Sequence, residues 1–264
     1  MLLLPRTLLH PVMLMSVKLL RCLRRQKFVF FNTIPHIKTN AIFTVNHSCS
    51  LDIPVSCEVI GTHAIVLVGT QELQPLDRAF FNLNGTIWVD RHRKASKAAA
   101  RKSMLEVLRR GKSLLVFPEG TWNLSPNALH LPLYWGVIDI ARESGKPIIP
   151  MCLEYIGRDI VVSFSAPISV GSEDGKQEKF EDLSAAFSTM KYDIFEQRCK
   201  CTRKNVSEED WDAHVVGTVK AYPCLDIGYE KSVIRKTHTA PEEAFAHLSR
   251  LIPCRENAFL FGKR

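Results

Sequence analysis

The amino-acid sequence predicts an α/β fold in which a mostly parallel central sheet is flanked by helices. Seven short apolar or β-branched runs alternate with helical patterns along residues 27–170, and near-continuous apolar strands are typical of a parallel sheet buried on both faces. The 264 residues, 46% of them hydrophobic, are enough to bury one large core. An N-terminal amphipathic helix and a helical C-terminal extension complete the predicted architecture.

The first predicted element is an amphipathic helix over residues 11–25, which Pro11 suits as a first-turn residue. Its apolar face, widened by Leu8 and Leu20, carries Val12, Met15, Leu19 and Leu23. Its basic face carries Lys18, Arg21 and Arg25. Such helices most often pack on their own domain, but a basic one can lie in a membrane interface. Because no acidic residue balances the seven Lys/Arg of residues 1–51, we predict a membrane-interface helix over residues 1–26.

The uncharged stretches near the start are too short to cross a bilayer. The longest, from Thr7 to Val17, has 11 residues, whereas a spanning helix needs about 20. This stretch also lacks the basic leader and the small-residue cleavage pattern of a signal peptide. We therefore expect a cytoplasmic protein that associates peripherally with the membrane.

Alternating strand and helix patterns then fill a core that we place at residues 27–170. The predicted strands are Phe28–Phe31, Ala41–Val45, Ala64–Val68, Thr86–Val89, Ser113–Phe117, Pro147–Leu153 and Ile160–Phe164. The predicted helices between them lie near residues 53–60, 72–82, 94–110 and 134–144. Gly111 and Gly145 follow two of these helices, as C-terminal caps do. Residues 171–264 are more polar and form an extension, with helices predicted near 178–198, 207–220 and 241–252 and no chemistry assigned.

Positive charge is concentrated in two segments. The net charge is +8 at pH 7, and residues 88–113 carry nine Lys/Arg against two acidic residues, Asp90 and Glu106. Together with the basic first 51 residues, this distribution suits an anionic partner such as a membrane surface, a phosphorylated substrate or nucleic acid. The alternative for residues 94–112 is a solvated basic helix face.

The eight cysteines lack the regular spacing of a disulfide framework. The candidates for a metal set are Cys199, Cys201, Cys224 and Cys254, with His238. Their spacings are irregular and include no Cys-x2-Cys knuckle, so we predict no metal site. Free cysteines fit a reducing cytosol.

His47 and Asp52 come directly after the predicted strand Ala41–Val45, five residues apart. Each has a structural alternative, His47 as a packed loop histidine and Asp52 as the N-cap of the next helix. In the functional interpretation, His47 is a general base for an acceptor hydroxyl, and Asp52 accepts a hydrogen bond from the other ring nitrogen. Side chains five residues apart on a helix point about 140° apart. The pair can therefore meet only if His47 precedes the helix. Cys49 as a nucleophile, with His47 as its base, is a rival chemistry.

Further candidate residues follow two other predicted strands. Glu119 lies in a turn made by Pro118, Glu119, Gly120 and Thr121. Its carboxylate either hydrogen-bonds the hydroxyls of an acceptor or is simply exposed on the turn. Arg91 follows the strand Thr86–Val89 and either binds a phosphate or pairs with Asp90.

Together these segments resemble the glycerolipid acyltransferase family, which includes bacterial 1-acylglycerol-3-phosphate acyltransferases. The four family blocks occur in order at Asn46–Asp52, Gly85–Arg91, Phe117–Thr121 and Pro147–Pro150. The resemblance covers about residues 25–165 and implies transfer of a fatty acyl group from acyl-CoA or acyl-ACP to a lysolipid hydroxyl, without a cofactor. It implies that His47 and Asp52 are catalytic. The substrate-binding residues that it implies are Glu119, Gly120, Thr121 and Arg91.

The expected partners are a membrane surface with anionic lipids, a lysolipid acceptor, and acyl-CoA or acyl carrier protein, with no nucleic acid. Two departures from the family pattern concern the acceptor. Trp122 follows the third block where the family usually carries Arg, and Gln71 stands where a Lys is common. The resemblance links both basic positions to the phosphate of the acceptor. The alternatives are therefore an acyltransferase for a lipid without that phosphate, and a non-catalytic membrane-binding protein on the same fold.

Overall fold

The computed structural model of the chain describes residues 3–35, 39–70, 75–124, 128–198 and 208–221. The strands are β1 (Lys27–Phe30), β2 (Ile42–Val45), β3 (Ala64–Gly69), β4 (Thr86–Val89), β5 (Ser113–Val116), β6 (Ile148–Ile156) and β7 (Asp159–Phe164). The helices are α1 (Leu3–Leu23), α2 (Asp52–Ile60), α3 (Pro75–Asn84), α4 (Lys94–Arg109), α5 (Gly136–Ser144), α6 (Lys176–Arg198) and α7 (Glu208–Ala221).

The seven strands form one mixed sheet in the order β1-β7-β6-β2-β5-β3-β4. β6 and β7 pair antiparallel, and the other neighbours pair parallel. The central strands β2 and β5 are buried along their whole length, as expected of parallel strands covered by helices on both faces. The predicted α/β class with a mostly parallel sheet is confirmed.

Helices cover the sheet on both faces and divide the core in two. On one face, α4, α5 and α6 pack their apolar residues against the sheet. On the other face, α2 packs on the sheet and is joined by residues of α1 and α3. Four apolar residues of α6 belong to the first of these clusters: Leu183, Phe187, Met190 and Ile194. This helix of the predicted extension thus packs into the same core as the sheet, beyond the predicted boundary at residue 170.

The predicted bounds of α1 are wrong at its beginning. The helix begins at Leu3, so Pro11 lies inside it rather than in its first turn. Proline favours the first turn of a helix because its ring removes a backbone donor that has no partner there. Here α1 packs against α2 and α3, and this support holds the helix together across the proline.

The face of α1 that packs inward is not the predicted apolar stripe. His10 and Met13 are buried, and Leu14 packs against the core. The stripe of Val12, Met15, Leu19 and Leu23 lies on the opposite side of the helix, and these side chains are 59% to 72% exposed. The sequence pattern places Arg21 on the basic face of the helix, with Lys18 and Arg25. It is instead largely buried and pairs with Glu58 of α2, Nη2 to Oε1 at 2.8 Å, because it projects from the packed face.

Two predictions of the sequence stay open here. The candidate metal ligands, for which the sequence predicts no metal site, lie outside the described part of the chain: Cys199, Cys201, Cys224, His238 and Cys254. The helix predicted near 241–252 also lies outside it. Among the described residues, no helix is long and apolar enough to cross a membrane.

Candidate active site

The candidate residues converge on one edge of the sheet because the strands that carry them run parallel. His47 follows β2, Glu119 follows β5, and Arg91 follows β4. β2 pairs with β5, β5 with β3, and β3 with β4, each in parallel register. The carboxyl ends of these strands therefore open at the same edge, where open α/β sheets bind their ligands.

His47 and Asp52 form a hydrogen-bonded pair. The His47 Nδ1 lies 2.9 Å from Asp52 Oδ2, and Asp52 is fully buried at the first position of α2. Asp52 Oδ2 also accepts hydrogen bonds from the backbone N–H groups of Ser48 at 2.5 Å and Cys49 at 2.8 Å. Asp52 is not the N-cap of α2, because Leu51 occupies the cap position and the N–H groups that Asp52 binds precede the helix. Its carboxylate organises this turn and orients the His47 ring, and the catalytic role of the pair stays a prediction.

The ionisation of Asp52 determines which ring nitrogen of His47 carries the proton. Burial alone would raise the pKa of Asp52, but the hydrogen bonds and charge of His47, together with the N–H groups of Cys49 and Ser48, hold it below its ordinary value. An ionised carboxylate only accepts hydrogen bonds, so His47 carries its proton on Nδ1 and the Nε2 lone pair can take another. This is the tautomer that a histidine general base needs.

Glu119 faces the protein interior. It is 1% exposed, and its carboxylate oxygens accept from the backbone N–H of His47 at 2.8 Å and that of Leu131 at 2.7 Å. Burial raises its pKa to about 7, against the lowering effects of the Lys191 charge and these two hydrogen bonds. The alternative of an exposed turn carboxylate is wrong. The predicted contact with an acceptor stays a prediction, and the observed contacts tie Glu119 to the backbone of His47.

Gly120 and Arg91 meet beside Glu119. Gly120 has a φ of +77°, and a Cβ placed on it would collide with the Tyr134 ring and lie 3.0 Å from the Arg91 Nη1. The Arg91 guanidinium also lies over the Tyr134 ring, 5.5 Å from its centroid. The turn thus needs glycine both for its backbone and for its neighbours. The predicted substrate-binding residue Arg91 lies against this turn, and Thr121 is buried next to it.

Two aromatic side chains enclose the His47 ring. The ring centroid of Phe117 lies 4.4 Å away in a tilted arrangement, and that of Trp122 lies 6.0 Å away in an edge arrangement. Trp122 is buried, and the backbone N–H of Asn123 donates to the His47 carbonyl at 2.6 Å. In the sequence, Trp122 is notable only because it stands where the family usually carries Arg. The structure also makes it a wall of the site.

The rival chemistry through Cys49 is not favoured by its geometry. Its Sγ lies 3.4 Å from Asp52 Oδ1, so the thiol donates to the carboxylate. Burial, reinforced by the Asp52 charge, raises the pKa of Cys49 to about 12. A thiol in this environment holds its proton at neutral pH and is a poor nucleophile.

Several residues beneath the site were not predicted from the sequence. Asn46 joins β2 to β6, because its Nδ2 donates to the Leu153 carbonyl at 2.9 Å and its Oδ1 accepts from the Leu153 N–H at 2.7 Å. Glu154 and Lys191 form a buried ion pair next to it, with Nζ 2.9 Å from Oε1. An asparagine directly before a site histidine, at the end of a buried strand, was the available signal for Asn46. Lys191 lies 145 positions after Asn46 in the chain, and no sequence pattern indicated that it reaches the site.

Comparison with known proteins agrees with this geometry. A family model described as Acyltransferase matches residues 25–154. The 1-acyl-sn-glycerol-3-phosphate acyltransferase of Limnanthes alba is 27% identical over 187 residues, which cover 64% of this chain and 62% of the relative. The corresponding enzyme of Borreliella burgdorferi is 29% identical over 117 residues, covering 44% of this chain and 46% of that one.

Residues 25–154 of the chain match the acyltransferase family, and several curated relatives of the chain are 1-acyl-sn-glycerol-3-phosphate acyltransferases. The predicted family is thereby confirmed, and the chain spans between 37% and 62% of the length of the curated family members that it matches. The crystal structure of a 1-acyl-sn-glycerophosphate acyltransferase from Thermotoga maritima has the same fold, with a TM-score of 0.58 and 18% identity over 75% of this chain and 83% of that one.

The family blocks coincide with the residues that the structure brings together. The first block holds His47 and Asp52, and the third holds Glu119 and Gly120. All four lie within the matched residues 25–154. Among the two departures from the family pattern, Trp122 lies against His47, and Gln71 lies outside the described residues.

Proposed function

We propose that the protein is an O-acyltransferase. It moves a fatty acyl group from an acyl thioester, on coenzyme A or acyl carrier protein, to the hydroxyl of a lysophospholipid such as 1-acylglycerol-3-phosphate. The observation that carries the proposal is the buried Asp52 carboxylate bound to His47 Nδ1 at 2.9 Å, in a family whose curated members act on this kind of acceptor.

In the proposed mechanism, His47 acts directly on the acceptor. Its Nε2 takes the proton of the acceptor hydroxyl as the oxygen attacks the thioester carbonyl carbon. The tetrahedral intermediate then collapses, the carbon–sulfur bond breaks, and the imidazolium returns the proton to the thiolate. Buried Asp52 stabilises the imidazolium and keeps the ring oriented. Atoms and charge balance without an acyl-enzyme or a metal.

The exposed stripe of α1 supports a second part of the proposal, peripheral attachment to anionic membranes. A lysolipid acceptor resides in or near a bilayer, so an enzyme that uses it gains from a surface that enters the interface. Val12, Met15, Leu19 and Leu23 offer such a surface, because they point away from the domain. The alternative of an acceptor without a free phosphate is favoured by Trp122, an apolar ring next to His47.

The deciding experiment is an acyl-transfer assay on the purified full chain. It uses a panel of lysolipids in mixed micelles with acyl-CoA or acyl-ACP, and product is followed by mass spectrometry. We expect His47→Ala to abolish transfer, and Asp52→Asn to lower kcat by about two to four orders of magnitude because the tautomer is no longer fixed.

The matched control is His214→Ala, which removes an exposed histidine of α7 and should leave turnover unchanged. Cys49→Ala should keep most of the activity, since its thiol does not ionise. Near wild-type turnover in folded His47→Ala, or no transfer by the wild-type protein to any acceptor, would reject the proposed function.

A further inference from the structure

A buried lysine from outside the matched family region lies beneath the site. Lys191 belongs to α6, which begins after the last residue matched by the family model. Its side chain is 10% exposed, and its Nζ lies 2.9 Å from Glu154 Oε1, which is 13% exposed. A cation is rarely buried to this extent unless it is paired, and losing one partner leaves an uncompensated buried charge.

The ion pair connects α6 to the residue before His47. Glu154 Oε1 also accepts from Asn46 Nδ2 at 3.3 Å. Asn46 in turn makes the two hydrogen bonds with the Leu153 backbone that join the ends of β2 and β6. The position of Asn46, and with it the start of the His47 loop, therefore depends on where Glu154 is held.

A second connection runs from α6 to Glu119. The Ser184 hydroxyl donates to His130 Nε2 at 3.1 Å, since His130 Nδ1 donates to the Leu131 carbonyl at 2.8 Å. The Leu131 N–H donates to Glu119, which also accepts the N–H of His47. The same helix, α6, thus contacts both routes to the His47 backbone, one through Glu154 and Asn46 and the other through Glu119.

The charges around Lys191 make its role electrostatic as well as steric. The titratable groups that act on one another in this cluster are Lys191 of α6, Glu154 and Cys152 of β6, Glu119 of the turn, His130 of the following loop and Asp52 of α2. Burial alone would lower the pKa of Lys191, but the charges of Glu154 and Glu119 raise it above its ordinary value. Burial raises the pKa of both glutamates, and the charge of Lys191 opposes that rise.

We propose that Lys191 is a positioning residue for His47, acting from α6 through Glu154 and Asn46 on one side and through its charge on Glu119 on the other. The effect on turnover rests on the proposed acyltransferase function, whereas the effect on Glu119 does not. In this role Lys191 links α6 to the site, although the sequence predicts no chemistry for this helix.

The first test follows Glu119 without any substrate. The backbone amide protons of His47 and Leu131 bond to Glu119, so their NMR shifts in the labelled full chain report its titration, with a midpoint of about 7 in the wild-type protein. Lys191→Met should raise that midpoint by about one pH unit or more. Lys191→Arg keeps the charge and should restore a midpoint close to wild type.

A double variant protects the test against misfolding. Lys191→Met alone leaves Glu154 buried and unpaired, so it can fail to fold. Lys191→Met/Glu154→Gln has no such charge, yet Glu119 still lacks its cation, so the raised midpoint should persist. The matched control is Lys179→Met on the same helix, where the lysine pairs with Asp182 of that helix and the midpoint should not move.

The second test measures turnover of the same variants. If His47 is displaced, kcat should fall about ten- to hundredfold in the folded Lys191 variants, with a smaller change in the KM of the acceptor and with recovery in Lys191→Arg. A wild-type amide midpoint in a folded variant that lacks Lys191, or a wild-type kcat there despite a shifted midpoint, overturns the proposal. If the wild-type protein itself proves inactive, the proposed function has failed, and the amide midpoint alone judges the role of Lys191.

Discussion

At the scale of single residues, Glu119 is a buried carboxylate that accepts hydrogen bonds from the backbone of His47 and Leu131. Its folded pKa of about 7 lies above the ordinary value of 4.5. Between these two pH values the folded protein holds a proton that the unfolded chain has released. The free energy of unfolding therefore falls as pH rises through this window, by about 3 kcal/mol from this group.

Glu119→Gln should remove this pH dependence. A glutamine cannot titrate, although its amide group will oppose one of the two backbone N–H donors and lower stability overall. We expect the stability of the wild-type protein, relative to Glu119→Gln, to decline by about 3 kcal/mol between pH 4.5 and pH 8. Urea unfolding at several pH values measures this difference.

An exposed glutamate of α6 supplies the control for that measurement. Glu178 has a side chain that is 68% exposed, so Glu178→Gln should leave the pH profile of stability as it is in the wild-type protein. Parallel pH profiles for wild type and Glu119→Gln would show that Glu119 keeps an ordinary pKa in the folded protein.

The sequence predicted the contact between His47 and Asp52 more fully than the surroundings of the pair. His47 and Asp52 are close in the chain, and the geometry of a strand, a loop and a helix start leaves few ways to arrange them. Buried Glu119 accepts a hydrogen bond from the backbone of Leu131, and Glu154 pairs with Lys191. Contacts of this kind come from chain segments that carry no shared local pattern, so spacing and periodicity cannot reveal them.

At the scale of elements, α1 combines an inward face with an exposed apolar stripe. The stripe of Val12, Met15, Leu19 and Leu23 points away from α2 and α3, and Arg24 and Arg25 are exposed near its end. Burying one leucine in an interface is worth about 1.5–3 kcal/mol, and each nearby basic residue adds about 1 kcal/mol on anionic lipid. Such terms are large enough to hold a protein on a vesicle.

Sedimentation with vesicles that contain anionic lipid tests this interpretation of α1. We expect the wild-type protein to bind, less strongly as salt rises, and Leu19→Glu to weaken partitioning by about tenfold or more. Arg24→Glu together with Arg25→Glu should remove most of the salt dependence. Arg21 is left unchanged because its reversal would break the pair with Glu58.

Val216→Glu is the matched control for Leu19→Glu. Val216 is an equally exposed apolar residue, 65% accessible, on α7, and its replacement should not alter vesicle binding. Binding that ignores salt and all of the α1 substitutions would mean that this helix does not enter the membrane.

The elements were predictable to different degrees for physical reasons. Parallel strands are buried on both faces, so each appears in the sequence as a short continuous apolar run, and all seven lie within a few residues of their predicted places. The packed face of α1 was not predicted, because both sides of that helix carry apolar residues and the sequence analysis considers only the stripe that is now exposed. The burial of α6 was hidden because its apolar residues are spread through a charged segment.

At the scale of the whole molecule, the two basic regions lie on different faces of the sheet. α1 joins the cluster on one face, and α4 the cluster on the other. On α4 and just after it, Arg109 and Arg110 pair with Glu106, while Arg101 pairs with Glu143 of α5. These contacts favour the solvated-face alternative for α4. The proposed contact with a membrane is therefore placed on α1 rather than on α4, and Arg91 remains as a basic residue of the site edge.

The nature of the acceptor follows from the charge that the site presents to it. A phosphomonoester carries nearly two negative charges, and charge-assisted hydrogen bonds to it are the strong ones. Trp122 lies beside His47 at a position where the family usually provides Arg, and Gln71 replaces a second basic residue. Losing one such bond costs about 1.5–3 kcal/mol, which is roughly a ten- to hundredfold change in binding.

We therefore predict that 1-acylglycerol-3-phosphate is not strongly preferred over a lysolipid without a free phosphate. The measurement is kcat/KM for both acceptors with the same thioester donor. A preference above about a hundredfold for the phosphomonoester would contradict the prediction and would mean that other basic residues supply the missing charge. Arg91 is then the first candidate, because its guanidinium reaches the Gly120 turn. Arg91→Ala would remove such a preference, whereas Lys97→Ala, at an exposed position on α4, would leave it in place.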